Sequence, residues 1–331
     1  MSTPAPWIAQ QSRQLLAQRG HAWLLQGPSG LGQYELALSL VRAWLCENPS
    51  EEGACGHCPS CHAIDVHTHA DLCVLMPEVV MLELGWPLDE KTQAELDEKK
   101  RKPSKEIRIE AMRDAIEFAQ RTSARGRGKA VLVFPAERMN NVTANALLKT
   151  LEEPAGDVRF VLASEAAHLL LPTIRSRCLG HTMHWPDAAA SLAWLQAQGV
   201  PDQDAPILLR AAGGRPEDAL RFAASGRDPK SWSALPRAVA RGEVGALKDW
   251  TPPQLIDALH KLCHDLLARQ SGAAPRFFDV AELPQATSLA TLSAWAQELA
   301  AASRTAEHPF NSGLMLEDLV SRAKIALNSK P

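Results

Sequence analysis

A parallel α/β sheet built around a phosphate loop, followed by helical domains, is the architecture that this 331-residue sequence predicts. Three observations carry the prediction. Residues 22–34, AWLLQGPSGLGQY, read as a short buried strand that runs into a glycine-rich turn and then a helix. Residues 130–134, AVLVF, and a stretch near 159–163 are continuous apolar runs, which a parallel strand covered on both faces requires. Beyond residue 187 the chain turns Ala/Leu-rich and its apolar residues recur at helix spacing.

The glycine turn is the most telling element. Gly27-Pro28-Ser29-Gly30-Leu31-Gly32 supplies the framework that lets backbone N–H groups curl around phosphates. A working loop continues with Lys, which neutralises phosphate charge, and with Ser or Thr, whose hydroxyl holds magnesium. Here Gln33 is uncharged and Tyr34 is too bulky to set a hydroxyl at that point. The AVLVF strand carries a matching defect. Where Asp and Glu would hold magnesium and orient water, the chain has Pro135 and Ala136, with Glu137 one position late. Three unrelated losses predict a nucleotide fold whose ATP site has lapsed, so no functional ATP site is expected.

Residues 35–45, ELALSLVRAWL, place Leu36, Leu40, Val41 and Trp44 on one stripe and form the helix that the loop opens. It ends at Cys46, and Cys55, Cys58 and Cys61 follow with gaps of eight, two and two residues in a Gly/Pro-rich segment. Two-residue gaps let successive thiolates converge on one ion, and four complete a closed tetrahedral zinc site. The expectation is structural zinc on a knuckle spanning 46–62, with stapling and no catalysis. Disulfides and an iron–sulfur cluster are the competing readings, and His62 or His57 could replace one thiolate.

Composition sets the outer limits. Hydrophobic residues at 46% and charged residues at 22% are ordinary for a soluble globular protein. No apolar stretch approaches the roughly 20 residues that span a bilayer. The start, MSTPAPWIAQQSRQLL, lacks a basic segment followed by an apolar core, so a cytoplasmic protein with reduced cysteines is expected. Net charge is −3, which leaves no strong nucleic-acid footprint on the whole chain. One Tyr, with seven Phe and nine Trp dispersed, argues against a stacking platform for single strands.

Two further segments carry a family resemblance. Residues 145–154, NALLKTLEEP, and 173–178, Thr-Ile-Arg-Ser-Arg-Cys, resemble the corresponding motifs of bacterial DNA polymerase III clamp-loader ATPases. They stand in the family's order, after the glycine loop, the cysteine knuckle and the AVLVF strand. The motifs cover roughly residues 20–180, and HPFN…LMLEDLV at 308–320 and AAGGRPEDAL at 211–220 match more loosely. The resemblance implies an AAA+ module over 1–185, a small helical lid over 186–228 and an all-α collar over 229–331 that packs in a ring. It implies part of a DNA-directed DNA polymerase holoenzyme, a nucleotidyltransferase complex, with no intrinsic activity of this chain. Implied partners are the gamma/tau motor subunits and delta, and, through the assembly, the sliding clamp and primer–template DNA. Arg177, in Ser176-Arg177-Cys178, matches the family's arginine finger, which completes a neighbour's ATP site in trans. Arg175 lies outside the matched position, and Cys178 is expected to pack rather than react. The alternative is an ATP-hydrolysing motor subunit in which Glu137 takes over the magnesium site.

Other features depart from the pattern or match it weakly. Ser164 stands where a polar first sensor belongs, and the second-sensor arginine falls on Glu217, close to Arg215. Residues 77–106 form a charged insertion whose basic run, Lys99 to Lys102, is read as a solvated excursion, with a DNA-facing use as the sharper alternative. Arg121, Arg125, Arg127 and Lys129 form a second basic cluster, open to phosphate contact or to simple solvation.

Overall fold

Strand β1 (Ala22–Gln26) is the axis of the fold, and nearly all of it is buried. The computed structural model describes residues 5–225, 228–247, 250–285, 288–306, 308 and 311–329. Two compact units result, Met1–Pro186 and Asp187–Pro331. In the first, β1 is joined by β2 (Leu72–Leu75), β3 (Lys129–Val133), β4 (Val158–Ser164) and β5 (Leu179–Thr182) in a sheet of order β2-β3-β4-β1-β5. Every neighbouring pair is parallel. With β4 between β1 and β3, this is the AAA+ arrangement. Its consequence is local: the glycine turn after β1, Ser164 at the end of β4 and the segment after β3 emerge along one edge of the sheet.

Helices α1 (Pro6–Leu16) and α2 (Gln33–Leu45) precede and follow β1. Leu36, Ala37, Leu40 and Val41 of α2 are fully buried, as its apolar stripe requires. Burial of a Leu or Val side chain contributes about 1.5–3 kcal/mol, which is enough to fix the helix and so the mouth of the loop. Next come α3 (Pro59–Asp65), then α4 (Glu78–Glu83) and α5 (Glu90–Asp97) within the insertion, and α6 (Ile109–Gln120). Residues 145–152 of the NALLKTLEEP segment form the end of α7 (Asn141–Glu152), which the Asn140 side chain caps, and α8 (Pro172–Arg175) leads into the Ser-Arg-Cys motif. Met112, Ala115 and Ala119 of α6 and Ala144, Leu147 and Leu151 of α7 share one core with alternate residues of β1, β3 and β4.

The second unit is helical, with two buried clusters. One joins Leu195 of α9 (Ala188–Ala197), Leu208 of α10 (Ala205–Ala211) and Ala219 of α11 (Pro216–Ala224). The other draws on α12 (Pro229–Arg241), α13 (Pro252–Gln270), α14 (Leu289–Ser303) and α15 (Ser312–Asn328). Leu255, Ala258, Leu259, Leu262 and Leu266 form the buried stripe of α13. The apolar positions Leu289, Leu292, Trp295 and Leu299 share helix spacing, and Leu292, Trp295 and Leu299 are buried, but Leu289 is not. As the first residue of α14, beside the Ser288 cap, it is 50% exposed. Gly226 and Arg227 lie outside the described residues, as do Pro309 and Phe310 of the HPFN segment.

Candidate functional site

The phosphate loop keeps its shape and fills its own centre. Gly30 and Gly32 have φ of 77° and 92°, left-handed values that glycine adopts without a Cβ penalty. Gln33 is 2% exposed, and its side-chain amide donates to the Gly27 and Pro28 carbonyls at 2.8 and 2.7 Å. The residue at the lysine position therefore turns inward and bonds the loop to itself. Tyr34 is engaged as well. Its hydroxyl accepts from Trp86 Nε1 at 2.7 Å, and its ring lies 5.4 Å from that of Phe134. Burial pushes the Tyr34 phenol up to about 12. Trp86 comes from the insertion, is itself buried and stacks on His67 at 3.9 Å. The insertion thus reaches the position where a magnesium-binding hydroxyl would stand. A lone Trp amid a charged run was the available sequence signal.

The end of β3 is no better equipped. Pro135 and Ala136 follow it, and the Glu137 carboxylate is already bonded: Ser164 Oγ donates to it at 2.7 Å and the Glu165 N–H at 3.1 Å. Ser164 is fully buried and sits beside Gln26 of β1 in register. Its hydroxyl is spent on Glu137. In the second unit, Arg215 pairs with Asp218 at 2.9 Å.

The cysteine knuckle forms a centre. The sulfurs of Cys46, Cys55, Cys58 and Cys61 all lie within 4.8 Å of one another. Cys46 Sγ is 3.8 Å from both Cys58 Sγ and Cys61 Sγ. A disulfide needs about 2.05 Å, so these thiols are unbridged. A regular tetrahedron with metal–sulfur bonds of about 2.3 Å has edges of about 3.8 Å, so this spacing fits one four-thiolate ion. Three of the thiols are buried and Cys55 is half-buried. Cys58 caps α3. Although burial raises its thiol, the Cys61 and Glu47 N–H groups outweigh that and bring it down to about 6. Cys61 is pushed up to about 12, by burial first and then by the neighbouring Cys58. Neither His alternative joins the set: His57 Nδ1 is bonded to the Cys55 carbonyl at 2.8 Å, and His62 is exposed.

Beneath the knuckle runs a polar chain. The Asp71 N–H donates to His69 Nδ1, which leaves Nε2 to bond Ser60 Oγ at 3.2 Å, and Ser60 donates to Glu47. Arg125 pairs with Glu47 at 3.1 Å, and Lys129 is buried against Asp71. Arg121 pairs with Glu117. Three of the four residues in this basic cluster are therefore committed internally. Two residues of the insertion's basic run are similarly occupied, with Arg101 held between Glu78 and Glu95 and Lys100 paired with Glu98.

Arg177 sits after α8, at the end of α7. Its Nε and Nη2 donate to Glu152 Oε2 at 3.2 and 3.0 Å, and Nη1 donates to the Thr173 carbonyl at 3.1 Å. Arg175 is exposed. Burial pushes the Cys178 thiol up to about 12, which suits packing and not nucleophilic work.

A family described as "DNA polymerase III, delta subunit" matches residues 8–185. The Escherichia coli protein DNA polymerase III subunit delta' is 31% identical over 81% of this chain and 78% of its own length. The chain belongs to the DNA polymerase III delta' family. The delta' subunit of Pseudomonas aeruginosa is 41% identical over 63% of this chain, and the match spans 58% of that protein. The tau subunit of E. coli is 32% identical over 48% of this chain and 21% of its own length. The glycine loop and the four-thiol centre lie within the residues that match the family. Among the described residues no helix is long and apolar enough to cross a membrane.

Proposed function

We propose that this chain is a non-hydrolysing clamp-loader subunit that supplies Arg177 in trans to the ATP site of a neighbouring gamma/tau subunit. It does so during loading of the sliding clamp on primed DNA. The observation that carries the reading is the self-bonded loop, in which Gln33 occupies the centre and Trp86 takes the Tyr34 hydroxyl. A guanidinium offers a fixed cationic fork to charge developing on a γ-phosphate. Fingers of this kind are worth ~10³–10⁵ in rate at the site they complete, or about 4–7 kcal/mol of barrier. The motor-subunit alternative needs Glu137 free for magnesium, and its bonds to Ser164 and Glu165 oppose that.

In the same reading Cys46, Cys55, Cys58 and Cys61 hold a structural zinc that ties the end of α2 to α3. Four ligands close the site, and the ion supplies only cross-linking. Residues 1–185 act as the AAA+ module, residues 186–228 as a lid and 229–331 as the collar that joins gamma/tau and delta, in the cytoplasm. The test is Arg177→Ala in the assembled complex. Clamp- and DNA-stimulated ATPase should fall while assembly, followed by gel filtration, is retained. A wild-type rate would rule out the finger.

A further inference from the structure

The ion pair at Arg177 points beyond the finger itself, and its meaning rests on that proposed role. Glu152 is the last residue of α7 and Glu153 comes directly after it. Carboxylates at a helix C-terminus stand at the unfavourable end of the helix dipole, so the stability of α7 does not explain Glu152. Its partner does. Both Arg177 bonds to Glu152 use the Nε/Nη2 edge and converge on one oxygen, while Nη1 turns back to the Thr173 carbonyl. A guanidinium has five N–H donors. Three are engaged here, which leaves one N–H on Nη1 and one on Nη2, the two nitrogens at the tip. The tip is the part that an anion on a neighbouring subunit would meet. The Arg177 side chain keeps 30% of its exposure and that of Glu152 keeps 60%, so the pair is reachable.

We propose that Glu152 is the positioning residue for Arg177. Together with the Thr173 carbonyl it fixes the guanidinium with its tip outward before a neighbour arrives. An arginine ordered beforehand loses less side-chain entropy when it engages a phosphate, and the gain falls on the transition state, where the finger acts. The pair is too exposed to contribute much to folding. Glu152 should therefore change the rate of the trans-completed site without changing the stability of the subunit.

The experiment compares Glu152→Ala, Glu152→Gln, Arg177→Ala and the Glu152→Ala/Arg177→Ala double variant in the assembled complex. ATPase and thermal melting are measured for each. Glu152→Ala is expected to lose most of the rate that Arg177→Ala loses, with KM for ATP and the melting temperature unchanged. Glu152→Gln keeps an acceptor oxygen and should lose the smaller part. The double variant should be no slower than Arg177→Ala alone, because Glu152 acts only through Arg177. A Glu152→Ala complex at or above the wild-type rate would overturn the proposal, as would a further loss on the Arg177→Ala background. If Arg177→Ala itself runs at the wild-type rate, the finger reading has failed, whatever Glu152→Ala shows.

Discussion

Removing the zinc proposed for the four-thiol centre should unfold a defined piece of this protein and leave the rest standing. The buried cluster at the knuckle consists of Cys46, Cys58 and Cys61, and the partly buried hydrophobic residues packed against it are Ala54 and Cys55. It has no Leu, Ile, Val or aromatic residue to hold residues 47–57 once the ion is gone. Structural zinc contributes on the order of 10 kcal/mol in small four-ligand domains at neutral pH, far more than the ~1 kcal/mol of a typical hydrogen bond. The sheet and α2 rest on their own core, where Leu40 and Val41 are fully buried, so the loss should stay local. Metal analysis should find one zinc per chain. After a strong chelator, or in Cys61→Ser, limited proteolysis should cut within 47–57 while the rest of the first unit resists. Acid should act in the same direction, because thiolates must be deprotonated to hold zinc. A metal-free protein whose knuckle resists protease as well as before would refute this reasoning.

Two further outcomes come from buried charge. Asp71 is fully buried and accepts from Ala124 N–H at 2.7 Å, Arg125 N–H at 2.9 Å, Ser123 Oγ at 3.0 Å and Lys129 Nζ at 3.3 Å. Asp71→Ala strands the Lys129 ammonium and should cost about 3–5 kcal/mol in denaturant unfolding, whereas a loss under about 1 kcal/mol would contradict the pairing. Stability against pH should show two stages. Burial, followed by Arg125, holds His69 below its usual value, and burial, followed by His184, does so for His181. Their contribution is whole above about pH 6.5 and fades as pH falls through the lowered values. Burial raises Asp71 and Glu78, but the Ala124 and Arg125 N–H groups for Asp71 and Arg101 for Glu78 outweigh it, so both lie below the usual range. Their contribution holds above about pH 4 and is lost below it. Unfolding free energies measured between pH 7 and 3 should show both steps, and a flat profile would count against them.

Much of the fold was legible because its signals are local. Continuous apolar runs marked β1, β3 and β4, and the stripe through Leu36, Leu40, Val41 and Trp44 marked α2. The four thiols sit together because their spacing is short. What escaped was set by pairs distant in sequence. Trp86 reaches Tyr34 across 52 positions, Lys129 reaches Asp71 across 58, and Arg177 reaches Glu152 across 25. Composition showed a basic cluster at 121–129, whereas the fold pairs three of its members with carboxylates, and of these only Lys129 is buried. Gln33 shows the same limit at short range. Its identity announced a missing charge, but only the folded loop revealed that its amide bonds Gly27 and Pro28.

The proposed non-hydrolysing role requires that the glycine loop no longer serves a nucleotide. A titration of the purified chain with a fluorescent ATP analogue, with and without magnesium, tests it most directly. No saturable binding is expected at millimolar nucleotide, with or without the metal. Magnesium-dependent binding in the micromolar range would mean that the loop still works, and it would contradict the non-hydrolysing role proposed for this subunit.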